Sequence, residues 1–235
     1  MTSPAATPPT IKVGFLLFPN ITQLDLTGPY EVFASLPGVQ VHLIWKTLDP
    51  VAAVTGMKIV PDTLLAECPQ LDVLCIPGGP GMGPLLVDNE VLNFIRKQAP
   101  GAQYMTSVCT GALVLGAAGL LRGKRAATHW LSMPMLKTLG AIPVEERVVI
   151  DGNIITGGGV TAGIDFALRV VAELRGAAAA QAIQLWIEYN PEPPFNAGSP
   201  KTASKEIVAA ATATAAPFIE KRRALVEQAA KNLGL

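Results

Sequence analysis

The sequence predicts an α/β fold in which a mostly parallel sheet is covered on both faces by helices. Three observations predict it. Short apolar runs of strand length alternate with longer segments whose apolar residues recur at helical spacing, the pattern of successive βα units. The first run, Lys12-Val-Gly-Phe-Leu-Leu-Phe18, is apolar almost throughout, as befits a strand buried on both faces. The chain has 235 residues, 50% hydrophobic and 15% charged, enough for one substantial core.

Each element follows from its own residues. After the strand at 12–18, Asp25-Leu-Thr-Gly-Pro-Tyr-Glu-Val-Phe-Ala-Ser-Leu36 has helical spacing, with Pro29 near the start, where a missing N–H is least costly. Residues 39–45, 73–76 and 104–108 read as further strands, and 89–98, 110–121 and 163–174 as helices between them. Residues 148–156 form a tight hairpin about Asp151-Gly-Asn153. Pro, Asn and Gly crowd 191–200, a connection to an Ala-rich region over 201–233 that is expected to be helical and interrupted at Pro217. There is no internal repeat. The resulting plan is a disordered leader over 1–10, one domain over 11–190, and 191–235 as a connection and helical extension of that domain.

Charge narrows the function classes. Eighteen basic and eighteen acidic residues cancel, leaving no electrostatic footprint for nucleic acid or an anionic membrane, so a small neutral or apolar ligand fits better. The first ten residues have neither the basic start nor the apolar stretch of a signal peptide, and no apolar run approaches the roughly 20 residues of a membrane span. Three widely spaced cysteines argue against a disulfide framework and for a reducing, cytoplasmic setting.

In an open α/β sheet, ligands sit beyond the carboxyl ends of the strands, so the residues that follow each strand matter most. Cys109 follows the strand at 104–108 and opens a small-residue helix. A thiol at such a turn faces unpaired N–H groups and the positive end of the helix dipole, which favours thiolate; Cys109 is therefore the candidate nucleophile. Cys68 and Cys75 are expected to fill core. Asp25, after the first strand, can exchange a proton with a neighbouring thiol, although an Asp in a first helical turn also suits capping and the dipole alone.

Pro77-Gly-Gly-Pro-Gly-Met-Gly83 lacks both the Lys-Ser/Thr ending of a P-loop and dinucleotide spacing, and reads as a tight turn. The N–H groups of Gly78 and Gly79 are candidate donors to a developing negative charge or an incoming water. Gly157-Gly-Gly-Val160 lets backbone approach the same cleft, with Gly159 and Val160 as candidate substrate contacts. Of the two histidines, His42 lies within a strand, whereas His129 is a candidate cleft residue. No Cys or His spacing suits a metal. Glu145, Glu146 and Arg147 read as a solvated face.

The first strand with Asp25-Leu-Thr-Gly-Pro-Tyr-Glu-Val-Phe33, then Ile76-Pro-Gly-Gly79, Ser107-Val-Cys-Thr-Gly-Ala112, Ala127-Thr-His-Trp130 and Thr156-Gly-Gly-Gly-Val-Thr-Ala-Gly-Ile-Asp165, together resemble the ThiJ/PfpI superfamily, and within it the branch that hydrates isocyanides. The resemblance spans about 11–190. It implies a flavodoxin-like three-layer sandwich, a homodimer, and a reactive cysteine at the elbow, which maps onto Cys109. Protease-like members carry His directly after that cysteine; here the position is Thr110, which argues against peptide hydrolysis. Amidotransferase chemistry lacks its late His-x-Glu pair.

The implied reaction adds Cys109 to the terminal carbon of an isocyanide. Asp25 protonates that carbon, and water activated by Asp25 then releases an N-substituted formamide. Thr110 orients Asp25 or the water, and no cofactor is required. Two other functions compete. AraC-type regulators carry a similar module, but the residues after Pro200, with one basic cluster at Lys221-Arg-Arg223, are too few for paired helix-turn-helix units. A redox-sensing or protein-repair role for Cys109 is the other.

Overall fold

A computed structural model describes residues 10–235, so the leader expected over 1–10 lies almost wholly outside the described residues. The strands are β1 (Ile11–Leu16), β2 (Val39–Trp45), β3 (Val51–Ala52), β4 (Lys58–Ile59), β5 (Thr63–Leu64), β6 (Val73–Ile76), β7 (Tyr104–Val108), β8 (Arg125–Ala126), β9 (Ile142–Pro143), β10 (Val148–Asp151) and β11 (Ile154–Gly157). The helices are α1 (Gln23–Ala34), α2 (Asn89–Gln98), α3 (Gly111–Ala117), α4 (Met133–Thr138), α5 (Ala162–Arg175), α6 (Ala177–Trp186) and α7 (Lys205–Asn232).

Seven strands form the main sheet in the order β10-β11-β7-β6-β1-β2-β5, parallel throughout except where β10 pairs antiparallel with β11. The chain builds outward from β1 to β2 and then returns to the other side of β1 with β6. The switch in strand order therefore falls between β1 and β6, where a crevice opens at the carboxyl edge. The α1–α5 pair packs on one face and α2 and α3 on the other, giving the expected flavodoxin-like sandwich. The α1–α5 contact is close because small residues meet there: a Cβ on Gly163 would sit 3.0 Å from Pro29 Cδ.

The core explains why β1 reads as continuously apolar. Val13, Phe15, Leu16, Leu17 and Phe18 are all fully buried, and Phe15, Phe33 and Phe166 pack in series at tilted, edge-on angles with ring centroids 6.1 and 6.2 Å apart, tying β1 to α1 and α5. Gly152 at φ 65° turns the β10–β11 hairpin where it is expected.

Three boundaries differ from expectation. The helix expected over 110–121 stops at Ala117, because Gly119 takes φ 86° and the Leu120 N–H turns back to the Leu115 carbonyl. The helix expected from 25 begins two residues earlier, so Pro29 lies inside it rather than near its start. Most consequentially, Pro217 does not interrupt the C-terminal helix: α7 runs through it as 28 continuous residues. Its second half is held by tertiary packing, with Val226, Ala229 and Ala230 buried against α3 and α4, which outweighs one lost backbone bond. Among the described residues, no helix is long and apolar enough to cross a membrane.

Candidate active site

The site is built on a strained turn. Cys109 sits between β7 and α3 with φ 54°, a left-handed conformation that a β-branched or bulky residue rarely adopts. The surroundings hold it there. Its N–H donates to the Gly158 carbonyl at 2.7 Å and to that of Gly157 at 3.2 Å, while its carbonyl accepts from Thr128 Oγ1 at 2.7 Å. Glycine at 111 is required by space, because a Cβ there would run into the Ile76 carbonyl. The elbow thus depends on β6, β11 and the 127–129 segment together.

Asp25 reaches the elbow from α1. Its side chain is completely buried, and Oδ2 accepts the Gly78 N–H at 2.8 Å across the crevice instead of capping its own helix. The N-cap position belongs to Thr22. Oδ1 accepts no hydrogen bond from protein. A carboxyl group placed in a first turn only for capping would not be sealed from water in this way.

Burial raises the Asp25 pKa from 3.8 to about 7, opposed by the Gly78 N–H and by the Cys109 side chain. The Cys109 thiol is pushed up, first by burial and next by the neighbouring Asp25 charge, while the Thr110 N–H and the charge of Arg222 act in the other direction. The thiolate expected from the helix dipole is thus corrected: α3 has only seven residues, and at 5% exposure the cost of desolvating sulfur dominates. Cys109 therefore keeps its proton near neutral pH, and the pair passes from two protons to one as Asp25 ionises through about pH 7.

The two candidate backbone donors are already engaged. Gly78 N–H serves Asp25, and Gly79 N–H donates to Thr110 Oγ1 at 3.0 Å. Their role in this structure is to fix the carboxyl and the threonine, so the expectation that they hold water or developing charge does not describe the resting site. A Cβ on Gly78 would fall 2.6 Å from Thr110 N and 2.8 Å from Asp25 Oδ2, and Gly79 takes φ 140°. This pair must be glycine for reasons of contact and conformation.

Cys109, Thr110, Gly79, His129 and Val160 line one cleft of ≈ 220 Å³, together with Thr22, Pro80, Leu131 and four residues of α7, Ala215, Phe218, Ile219 and Arg222. Gly159 lies behind that wall, 3.8 Å from the His129 ring by the position of a built Cβ. His129 Nδ1 accepts the Leu131 N–H at 3.4 Å, and burial followed by the charge of Arg222 holds its pKa below the usual value, so the ring is neutral. The α7 residues are absent from the expected site. Their positions 215, 218, 219 and 222 make one helical stripe, a signal present in the sequence but masked by the expected break at Pro217. His42 serves structure, with Nδ1 3.0 Å from Thr63 Oγ1. Glu145, Glu146 and Arg147 are exposed, as expected of a solvated face, and Arg147 also pairs with Asp165 at 2.7 Å, bracing the start of α5 beside Val160.

Comparison with known proteins agrees with this geometry. The family model described as DJ-1/PfpI matches residues 11–173. An isonitrile hydratase of Pseudomonas putida is 59% identical over 225 residues, covering 96% of this chain and 99% of that protein. The crystal structure of a ThiJ/PfpI family protein from Pseudomonas syringae superposes with a TM-score of 0.90 at 44% identity, covering 96% of this chain and 97% of the other. The HTH-type transcriptional regulator GbdR of Pseudomonas aeruginosa is 31% identical over 174 residues, which are 70% of this chain and 47% of the regulator.

Proposed function

The chain belongs to the DJ-1/PfpI family, and from that premise we propose that it adds water to an isonitrile, releasing an N-substituted formamide. The observation that carries the reading is the buried Asp25–Cys109 pair, framed by Gly78, Gly79 and Thr110, in a chain 59% identical to an isonitrile hydratase. Such a pair can supply a nucleophile and a single mobile proton in a dry site.

The steps balance with that one proton. Ionised Asp25 takes the thiol proton as Cys109 sulfur bonds to the terminal carbon of the isonitrile. The carbon, which now carries the electron pair, receives the proton back from Asp25, giving a thioimidate. Asp25, again ionised, takes a proton from water as the water oxygen adds to that carbon, and passes that proton to the substrate nitrogen, which becomes N–H. Collapse of the adduct forms the formamide carbonyl and breaks the C–S bond, and the sulfur recovers its proton. Thr110 holds the Gly79 turn against the pair, and Val160, Leu131 and Phe218 give the cleft apolar walls. The residues supply every group in this cycle.

The direct test follows formamide from para-nitrophenyl isocyanide. Cys109→Ala should abolish turnover, and an active Ala variant would sink the scheme. Because Asp25 must begin ionised, kcat/KM should climb as pH rises through about 7 and then level. A profile that falls over that range would reassign the base. A peroxide-sensing role would instead show as oxidation of the Cys109 thiol without formamide turnover. A cytoplasmic setting suits the three free thiols, and assembly as a homodimer completes the proposal.

A further inference from the structure

The cleft wall contributed by α7 contains one charged group to which the reaction scheme gives no step, although its charge favours the Cys109 thiolate. Ala215, Phe218 and Ile219 present carbon to the cleft, as do Leu131 and Val160 opposite, yet the next residue of the stripe is Arg222. Its guanidinium is partly buried, and Nη1 donates to Ser132 Oγ at 2.9 Å. Three other arginines meet carboxylates, Arg125 with Glu146, Arg147 with Asp165 and Arg223 with Glu220, while Arg96 is held by Asn93 Oδ1 and the Ala117 and Ala118 carbonyls. No carboxylate among the described residues forms an ion pair with Arg222.

The groups near it form no ion pair with it. His129 is neutral, Ser132 is a hydroxyl, the Cys109 thiol keeps its proton, and the Asp25 carboxyl is sealed against Gly78. A cation withdrawn from water without a partner costs free energy, and a planar fork of donors is matched best by a carboxylate.

We propose that Arg222 binds a carboxylate carried by the substrate, so that the isonitriles this protein prefers are compact acids with the two groups a few carbons apart. This rests on the hydratase reading. The cleft volume, equal to about seven water molecules at ~30 Å³ each, suits a molecule of that size. Discrimination works in both directions. An acid gains a charge-assisted pair, whereas a neutral isonitrile of the same shape shields the guanidinium from water and leaves it unpaired.

Isocyanoacetate and its methyl ester are the probes. The parent protein should favour the acid over the ester in kcat/KM by on the order of 10-fold or more. Arg222→Gln should bring that ratio close to unity, and Arg222→Lys should retain part of it. The ratio is read within each variant. A parent protein that favours the ester, or an Arg222→Gln variant with the parental ratio, overturns the proposal.

A second measurement needs no turnover and only the parent protein. N-formylglycine should protect Cys109 from iodoacetamide at concentrations where its methyl ester does not; equal protection, or none from either, overturns the anion site. If neither these two isonitriles nor para-nitrophenyl isocyanide is hydrated, the hydratase reading fails, while selective protection by N-formylglycine still supports the carboxylate site.

Discussion

Asp25 shows how one residue can couple stability to chemistry. Burial raises its pKa from 3.8 to about 7, so between those values the folded protein holds a proton that the unfolded chain releases. The unfolded state then binds fewer protons, and stability falls as pH rises from about 4 to about 7 and is level above. A gap of that size is worth at most roughly 4 kcal/mol. Asp25→Asn keeps an acceptor for the Gly78 N–H but cannot ionise. In urea denaturation it should exceed the parent in stability at pH values of about 8 and match it near pH 4. An advantage that does not change with pH would contradict the assignment. The same variant should lose hydration while its thiol, relieved of the neighbouring charge, still alkylates.

At the scale of elements, α7 departs most from what local sequence rules suggest. A proline inside a helix removes a backbone bond and crowds the preceding turn, yet α7 is continuous because both ends are anchored. Ser204 caps the start, its Oγ accepting the Ile207 N–H at 3.4 Å, and the second half is buried against the body of the protein. The cost at Pro217 is therefore still carried by the folded state. Pro217→Ala should raise stability by about 1–2 kcal/mol, less than the full helix-interior penalty because proline also restricts the unfolded chain. Thermal unfolding measures it, and a lowered midpoint would mean that the proline geometry is itself required to seat Phe218 and Arg222 on the cleft. The elbow is announced by its local sequence, although tertiary contacts hold it. Gly111, two residues after the cysteine, and a glycine pair after β6 announce a crowded turn, and Gly111, Gly78 and Gly79 meet backbone or active-site atoms when given a Cβ.

For the whole molecule, the parallel order places the ends of β1, β6, β7 and β11 side by side, which is why four segments distant in sequence meet in one cleft. The outer surface carries a second signal. Leu185 and Trp186 at the end of α6 are 79% and 80% exposed, next to an apolar groove lined by Leu36, Pro37, Ala179 and Ile183. Large side chains left in water beside such a groove suit a contact between copies of the chain. The proposed homodimer should appear by sedimentation, and Trp186→Asp should shift it toward monomer. A dimer indifferent to that change would place the interface elsewhere.

Much of this was legible along the chain. Apolar runs of two lengths establish the α/β class, glycine and small residues mark the turns, and Cys109, Asp25 and Thr110 stand out because each follows a strand. These are local properties, set by backbone sterics and by the period at which side chains face a core. The tertiary structure alone decided the protonation of the pair, the engagement of the Gly78 and Gly79 N–H groups, and the entry of α7 into the site. Each depends on what surrounds a group after folding. Desolvation overrides the dipole at Cys109, side chains distant in sequence take up the two glycine donors, and packing carries a helix past Pro217 to bring Arg222 to the cleft.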